Sequence, residues 1–257
     1  MLKIKVAINP KYGYLKEFIG NLPSNFDTQG EVLFGGRNII REISTKDLRL
    51  NVKSFKVPNI INQFVYDNFR VSKARRSFEY ANILLERGIN TPDPVAYLEC
   101  KQGIRFMQSY YISIQEEFDG LMREFKTGEL IGRENLLSQF ARFTANMHQK
   151  EILHLDYSPG NILYKKEDKT YHFYLVDLNR MYFGDISMDL GCRSFRRLWG
   201  NDEMIKFIAS EYAKARNFDV DKCIELTLLY HKKFWEYFTK KHPDKKAYTL
   251  TPPITND

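Results

Sequence analysis

The sequence predicts an α+β fold in two lobes, a small β-rich lobe over residues 1–118 and a helical lobe over residues 119–257. Three observations predict it. Strand-like alternation broken by turn residues fills most of the first half, and helical periodicity fills most of the second. In the second half His154, Asp156 and Asn161 stand at the spacing H-x-D-x-x-x-x-N, and an apolar stretch then leads to Asp177. A chain of 257 residues that is 43% hydrophobic, with 19 Phe and 16 Tyr, buries a substantial core, which excludes a disordered protein. No fixed period recurs along it, which excludes a solenoid.

Lys3–Ile8 alternates as an edge strand does, and Tyr14–Leu22 reads as a short helix stopped by Pro23. Three consecutive strands follow, Glu31–Phe34, Asn38–Ser44 and Leu48–Phe55, joined by Gly35-Gly36 and by Thr45-Lys46-Asp47. Ala74, Phe78, Ala81 and Leu85 then place an apolar stripe on a helix, with Ser72 as its N-cap and Gly88 just past its end. Pro92 and Pro94 close that unit, and Val95–Cys100 and Tyr110–Phe118 resume strand character. Beyond residue 119, Leu136, Leu137, Phe140, Phe143 and Met147 recur at helical spacing and carry a helix into His148. Ile162–Lys165 and His172–Leu178 read as two strands around the charged turn Glu167-Asp168-Lys169. The stretch from Asp189 to His242 is helical in pattern, broken at Gly200 and Asn217. The tail from about residue 245, which holds Pro252-Pro253, is expected to be mobile.

No apolar run approaches the roughly 20 residues of a membrane-spanning helix. Met1–Lys5 lacks the apolar core of a signal peptide, so a soluble, cytoplasmic protein is expected. Cys100, Cys192 and Cys223 are far apart and form no CxxC pair, which points to buried, idle thiols rather than a zinc site. With 39 Lys and Arg against 32 Asp and Glu the net charge is +7, and an anionic partner is expected. No helix-turn-helix, zinc finger or RNP-like motif accompanies that charge, so nucleic acid is not the expected partner.

The loop from His154 to Asn161 carries the chemistry. Phosphoryl transfer needs a carboxylate to orient the attacking hydroxyl, and a second carboxylate with an amide oxygen to hold Mg²⁺ against a triphosphate. Asp156 and Asn161 share one loop with a Pro-Gly turn between them, and Asp177 ends an apolar strand. Asp and Asn most often serve simply as turn caps, but turn capping does not account for the joint spacing of all three. The spacing is the catalytic and metal-loop pattern of kinases. That pattern requires a lysine on the third strand of the small lobe and a glutamate on the following helix. Lys53 and Glu79 occupy those places, although Lys56 lies close by and Glu79 also fits a solvated helix face.

The sequence further resembles the lipopolysaccharide kinase family, the kinases of bacterial Kdo and heptose core sugars. The residues that carry the resemblance are Gly36-Arg37-Asn38, the Val52–Lys56 strand, Ser72–Glu79, Leu84–Ile89 with Thr91-Pro92, and His154–Asn161, within roughly residues 25 to 200. The resemblance implies a protein-kinase-like fold, ATP and Mg²⁺, and phosphorylation of a sugar hydroxyl on a membrane glycolipid at the cytoplasmic face. It also implies roles: Lys53 and Glu79 as the phosphate-anchoring pair, Asp156 as the catalytic carboxylate, and Asn161 and Asp177 as metal ligands.

Departures from the broader kinase pattern bear on which kinase this is. There is no G-x-G-x-x-G, only Gly30, Gly35 and Gly36, and Gly35-Gly36 also suits a plain hairpin turn. The metal loop reads Asp177-Leu178-Asn179, and helical sequence follows from Asp189 without room for a long activation loop. A regulated protein kinase is therefore not expected. The alternatives that stand are a kinase of a soluble, aminoglycoside-like molecule and a non-catalytic nucleotide-binding pseudokinase. Asp189 suits either a helix cap or an anchor of the catalytic loop, His154 a structural support beneath it, and His148 a helix end stabilised by the dipole. The basic clusters Arg70, Lys73, Arg75, Arg76 and Arg193, Arg196, Arg197 read as solvated helix faces, or as a surface for an anionic membrane. Phe195, Leu198 and Trp199 fit core packing better than a membrane-facing edge.

Overall fold

The computed structural model describes residues 2–36, 38–55, 71–103 and 105–243. Arg37, Lys56, Arg70 and the tail from residue 245 fall outside the described residues. The chain forms two compact units: Met1–Glu117 together with Asp177–Asn179, and Phe118–Val176 together with Arg180–Asp257.

The first unit is built on an antiparallel six-stranded sheet in the order β1-β5-β6-β4-β3-β2. Its strands are β1 (Leu2–Ile8), β2 (Glu31–Gly35), β3 (Asn38–Ser44), β4 (Arg49–Phe55), β5 (Pro94–Gln102) and β6 (Arg105–Ile114). β1 is an edge strand, as its alternation predicts, and Gly35-Gly36 falls at the hairpin turn between β2 and β3. The second apolar strand after Pro94 begins at Arg105 and stops at Ile114, so Gln115–Phe118 is not strand. One face of the sheet packs Leu50, Val52, Leu98, Tyr110 and Ile112 against Ile19, Leu22 and Phe26 of α1 (Lys16–Asn25) and its end.

Pro23 lies inside α1 instead of ending it. Proline there forfeits its own N–H bond and crowds the carbonyl one turn back, but burial of Leu22 and Phe26 holds the last turn, which closes with Phe26 N–H on the Leu22 carbonyl at 2.8 Å. The other face of the sheet carries Phe55, Tyr97 and the helix α2 (Lys73–Glu86). Ser72 caps α2 by accepting from Arg75 N–H, and Gly88 follows it at φ +65°. The buried stripe of α2 runs through Ala74, Ser77, Ala81 and Leu84, whereas Leu85 is exposed. Spacing alone does not separate positions 84 and 85, which lie about 100° apart on the helix.

The second unit is mainly helical, with α3 (Glu134–Gln149), α4 (Met188–Ser194), α5 (Asp202–Arg216) and α6 (Val220–Lys241). Small strands accompany them: β7 (Gly120–Leu121), β8 (Ile152–His154), β9 (Ile162–Glu167), β10 (Thr170–Leu175) and β11 (Met181–Phe183). β9 and β10 form the hairpin turned at Asp168, whose φ is +52°. Gly200, at φ +134°, precedes α5, and Asn217 ends that helix in the left-handed conformation. Phe140 of α3 centres the core, with Tyr157, Phe173 and Phe195 around it at 5.9, 5.6 and 6.4 Å between ring centroids.

All three cysteines are buried and free, with Cys192 and Cys223 Sγ atoms 3.2 Å apart. Among the described residues no helix is long and apolar enough to cross a membrane.

Candidate active site

Period-2 alternation decides where Lys53 points. Leu50 and Val52 enter the core beneath α1, so Lys53 emerges on the face that carries Phe55 and α2. Its side chain is only 14% exposed, and an ammonium so placed requires a counter-charge. Asp177 supplies it, with Nζ to Oδ1 at 2.6 Å across 124 residues of sequence. Asn179 Nδ2 donates to the same carboxylate oxygen, also at 2.6 Å.

Two expectations need correction here. β10 stops at Leu175, so Asp177 stands two residues past its end, at φ +59°, instead of ending a strand. Aspartate tolerates that left-handed conformation better than most residues, and Lys53 and Asn179 hold its carboxylate in place. Lys53 and Glu79 do not pair, because the Glu79 carboxylate is taken by Arg75 Nε at 2.7 Å. Arg75 lies one turn back on the same helix and meets Glu79 locally.

The second half of the candidate site is the loop after β8. His154 is buried and its Nδ1 accepts Asp156 N–H at 3.1 Å, so the ring proton sits on Nε2 and donates to the Val176 carbonyl at 3.1 Å. This neutral imidazole ties the catalytic loop to the strand end next to Asp177, which is the structural role its position suggests. Tyr157 anchors the loop from below: fully buried, it stacks on Phe140 and shares a 2.8 Å hydrogen bond with Thr144 of α3. Asp156 is left half-buried.

Asn161 Nδ2 donates to the Asp156 carbonyl at 2.9 Å, which leaves the amide oxygen as the atom available for a ligand. Asn161 C=O accepts Val176 N–H at 3.1 Å, so Asn161 is bonded to the residue covalently joined to Asp177. The oxygen-only donor types of Asn161 and Asp177 suit a hard cation such as Mg²⁺. Among the described residues no three His, Cys, Asp or Glu side chains gather as a metal cage. A cation that draws most of its ligands from phosphates and water requires no such cage.

Several neighbours of the candidate residues escape sequence reasoning. Arg197 forms an ion pair with the Asp156 carboxylate and lies over the Phe234 ring at 5.6 Å, so it is not a solvated helix face. No spacing rule connects residues 156 and 197. Burial pushes the Arg196 guanidinium below its ordinary value, while Arg193 is exposed. Asn179 and Tyr157 carry a signal, a polar residue after Asp177 and a large aromatic inside a polar loop, but neither signal specifies a role.

Asp189 neither caps α4, which Ser187 does, nor anchors the catalytic loop; it accepts from the Tyr230 hydroxyl at 2.5 Å. His148 is fully buried, and desolvation lowers its pKa to about 3, so it is neutral and gains nothing from a helix dipole. Phe195 and Leu198 are core residues, and Trp199 packs beside Arg123 and Lys126.

Residues 36–183, more than half of the chain, match the model of the lipopolysaccharide kinase (Kdo/WaaP) family. The chain belongs to that family. Membership makes this Kdo/WaaP-family chain a phosphotransferase. A solved structure of WaaP in complex with acyl carrier protein aligns over 91% of this chain and 99% of that one, with TM-score 0.59 and 14% sequence identity. At that identity the likeness is one of fold: a protein-kinase-like α+β architecture with a β-rich part and a helical part. No curated protein matches the chain.

Proposed function

We propose that this chain phosphorylates a sugar hydroxyl of the lipopolysaccharide inner core, Kdo or heptose, using ATP and Mg²⁺. The single observation that carries the reading is the Lys53–Asp177 ion pair, which joins a sheet lysine to the aspartate after the catalytic loop. A kinase needs those two groups in register, one for phosphate and one for metal. Asp156 aligns the acceptor hydroxyl and takes its proton, on a loop that His154 and Tyr157 hold rigid. Asn161 and Asp177 would hold Mg²⁺, which when bound would neutralise the negative charge of the phosphates. Glu79 enters this scheme only by leaving Arg75 for Lys53.

The acceptor is a glycolipid, so we place the enzyme at the cytoplasmic face of the inner membrane as a peripheral protein drawn by its net charge of +7. Of the basic cluster on α2, Lys73, Arg75 and Arg76 are half-buried, so exposed lysines such as Lys232 and Lys233 on α6 are better placed for that contact.

The test is incubation with labelled ATP, Mg²⁺ and a panel of core-truncated glycolipids. Label on a glycolipid retaining the inner core, and none on one lacking it, is the expected result. Label on an aminoglycoside instead would make the substrate a soluble one. Nucleotide binding with no acceptor labelled would make the chain a pseudokinase.

A further inference from the structure

Within the second unit lies a cavity of about 380 Å³ that none of the roles above uses. Gly160 of the catalytic loop forms one wall, and Arg123, Arg197, Trp199, Phe234 and Trp235 form others. The volume is at the lower end for small-ligand sites, with room for about one sugar unit.

The lining has two chemistries. Arg123 lies over the Trp199 ring at 5.7 Å and packs so closely on Gly160 that a Cβ there would sit 3.1 Å from its Cζ. Among the described residues no carboxylate pairs with Arg123, and a guanidinium on an aromatic face keeps its fork of donors for a planar anion. Trp235 is held by its indole N–H, which donates to the Leu198 carbonyl at 3.3 Å. Aromatic faces carry negative charge density and attract the polarised C–H groups of a sugar ring.

Position gives the cavity its meaning. Arg197, over Phe234, reaches from it to the Asp156 carboxylate, and Gly160 is four residues from Asp156 on the same loop. The cavity therefore shares Arg197 with the ion pair of the Asp156 carboxylate.

We propose that this cavity is the acceptor subsite and that it takes a sugar carrying a carboxylate or a phosphate, with the anion on Arg123 and the ring against the tryptophans. The inference rests on the kinase reading above and adds the residues that select the acceptor.

Trp199 and Trp235 are the only two tryptophans of the chain, so its intrinsic emission reports on the cavity without nucleotide or turnover. The full chain is titrated with free Kdo, glucose 6-phosphate, glucose, inorganic phosphate and ATP. A saturable change with Kdo or glucose 6-phosphate is expected, with glucose and inorganic phosphate each binding at least about tenfold more weakly. Whichever of the first two binds more tightly identifies the anion as carboxylate or phosphate.

Arg123 is exposed, so Arg123→Ala should fold as the parent does. It should weaken the acidic sugar about tenfold, with partial recovery in Arg123→Lys. In the transfer assay the same variant should raise the acceptor KM by a similar factor and leave the KM for ATP unchanged.

Equal response to glucose and the acidic sugars, or to inorganic phosphate alone, would overturn the subsite. So would no response to any sugar, an ATP response lost in Arg123→Ala, or unchanged binding in that variant. Acidic-sugar binding with no transfer to any acceptor would sink the kinase reading while leaving an acidic-sugar pocket in place.

Discussion

Gly191→Ala sets a gain in local propensity against a loss in packing, and the structure says which wins. Gly191 lies buried within α4, where alanine favours a helix over glycine by about 1 kcal/mol. A Cβ at that position would overlap the Tyr212 hydroxyl and lie 3.0 Å from Cζ and 3.3 Å from Cε1. Tyr212 has no exposed surface, and its hydroxyl shares a 2.8 Å hydrogen bond with His148 Nδ1 while accepting from Arg216 at 3.3 Å. Moving that ring costs about 1–3 kcal/mol of overpacking, and the broken hydrogen bond costs about 1 kcal/mol more. The net is a destabilisation of about 1–3 kcal/mol after the helix gain.

Tyr212→Phe removes the offending atom at a cost of about 1–2 kcal/mol, because His148 Nδ1 loses its partner. In that background Gly191→Ala should cost clearly less than in the parent, because only the contacts at 3.0 and 3.3 Å to ring carbons remain. Urea unfolding of the four proteins, followed by the emission of Trp199 and Trp235 in the second unit, measures the cycle. Gly191→Ala stabilising the parent, or the two changes adding to within about 0.5 kcal/mol, would refute the reasoning.

Asp156→Ala should keep nucleotide affinity and lower phosphoryl transfer by about 10²–10⁴-fold; transfer near the parent rate would remove it from the catalytic role. Asp177→Ala should lose the Mg²⁺-dependent part of ATP affinity, and should also cost about 1–3 kcal/mol of stability by stranding the half-buried Lys53 ammonium. Calorimetry showing the same ATP affinity with and without Mg²⁺ in both proteins would rule out a metal ligand there. His148, held at a pKa of about 3 against an ordinary 6.5, binds a proton more readily in the unfolded chain. Stability should therefore be complete above about pH 6.5 and fall by a few kcal/mol toward pH 3, with a slope of at most roughly 1.4 kcal/mol for each step of one in pH. His148→Gln should flatten that slope, and an unchanged slope in acid unfolding would assign it to other groups. Vesicle co-sedimentation should rise with anionic lipid content and fall with added salt; indifference to both would exclude electrostatic docking.

Local rules and covalent spacing carry a long way in this chain. Turn residues and period-2 alternation place β2, β3 and β4 nearly to the residue and put Lys53 on the opposite face from Val52, because a pleated strand allows no other assignment. Asp156 and Asn161 are legible because a short loop fixes their separation whatever surrounds it. Asn217 and Gly200 are legible as breaks because left-handed backbone excludes most other residues.

Competition among partners distant in sequence is decided only when the chain is folded. Glu79 has an arginine within one helical turn and binds it, while the half-buried Lys53 takes the carboxylate of Asp177. Arg197 meets Asp156 only because the short helical turn after α4 and the catalytic loop are packed in one unit, 41 residues apart in sequence. His148 shows the same division: its place at a helix end is written in the sequence, but its charge is set by burial against Tyr212, and burial is a property of the packed core.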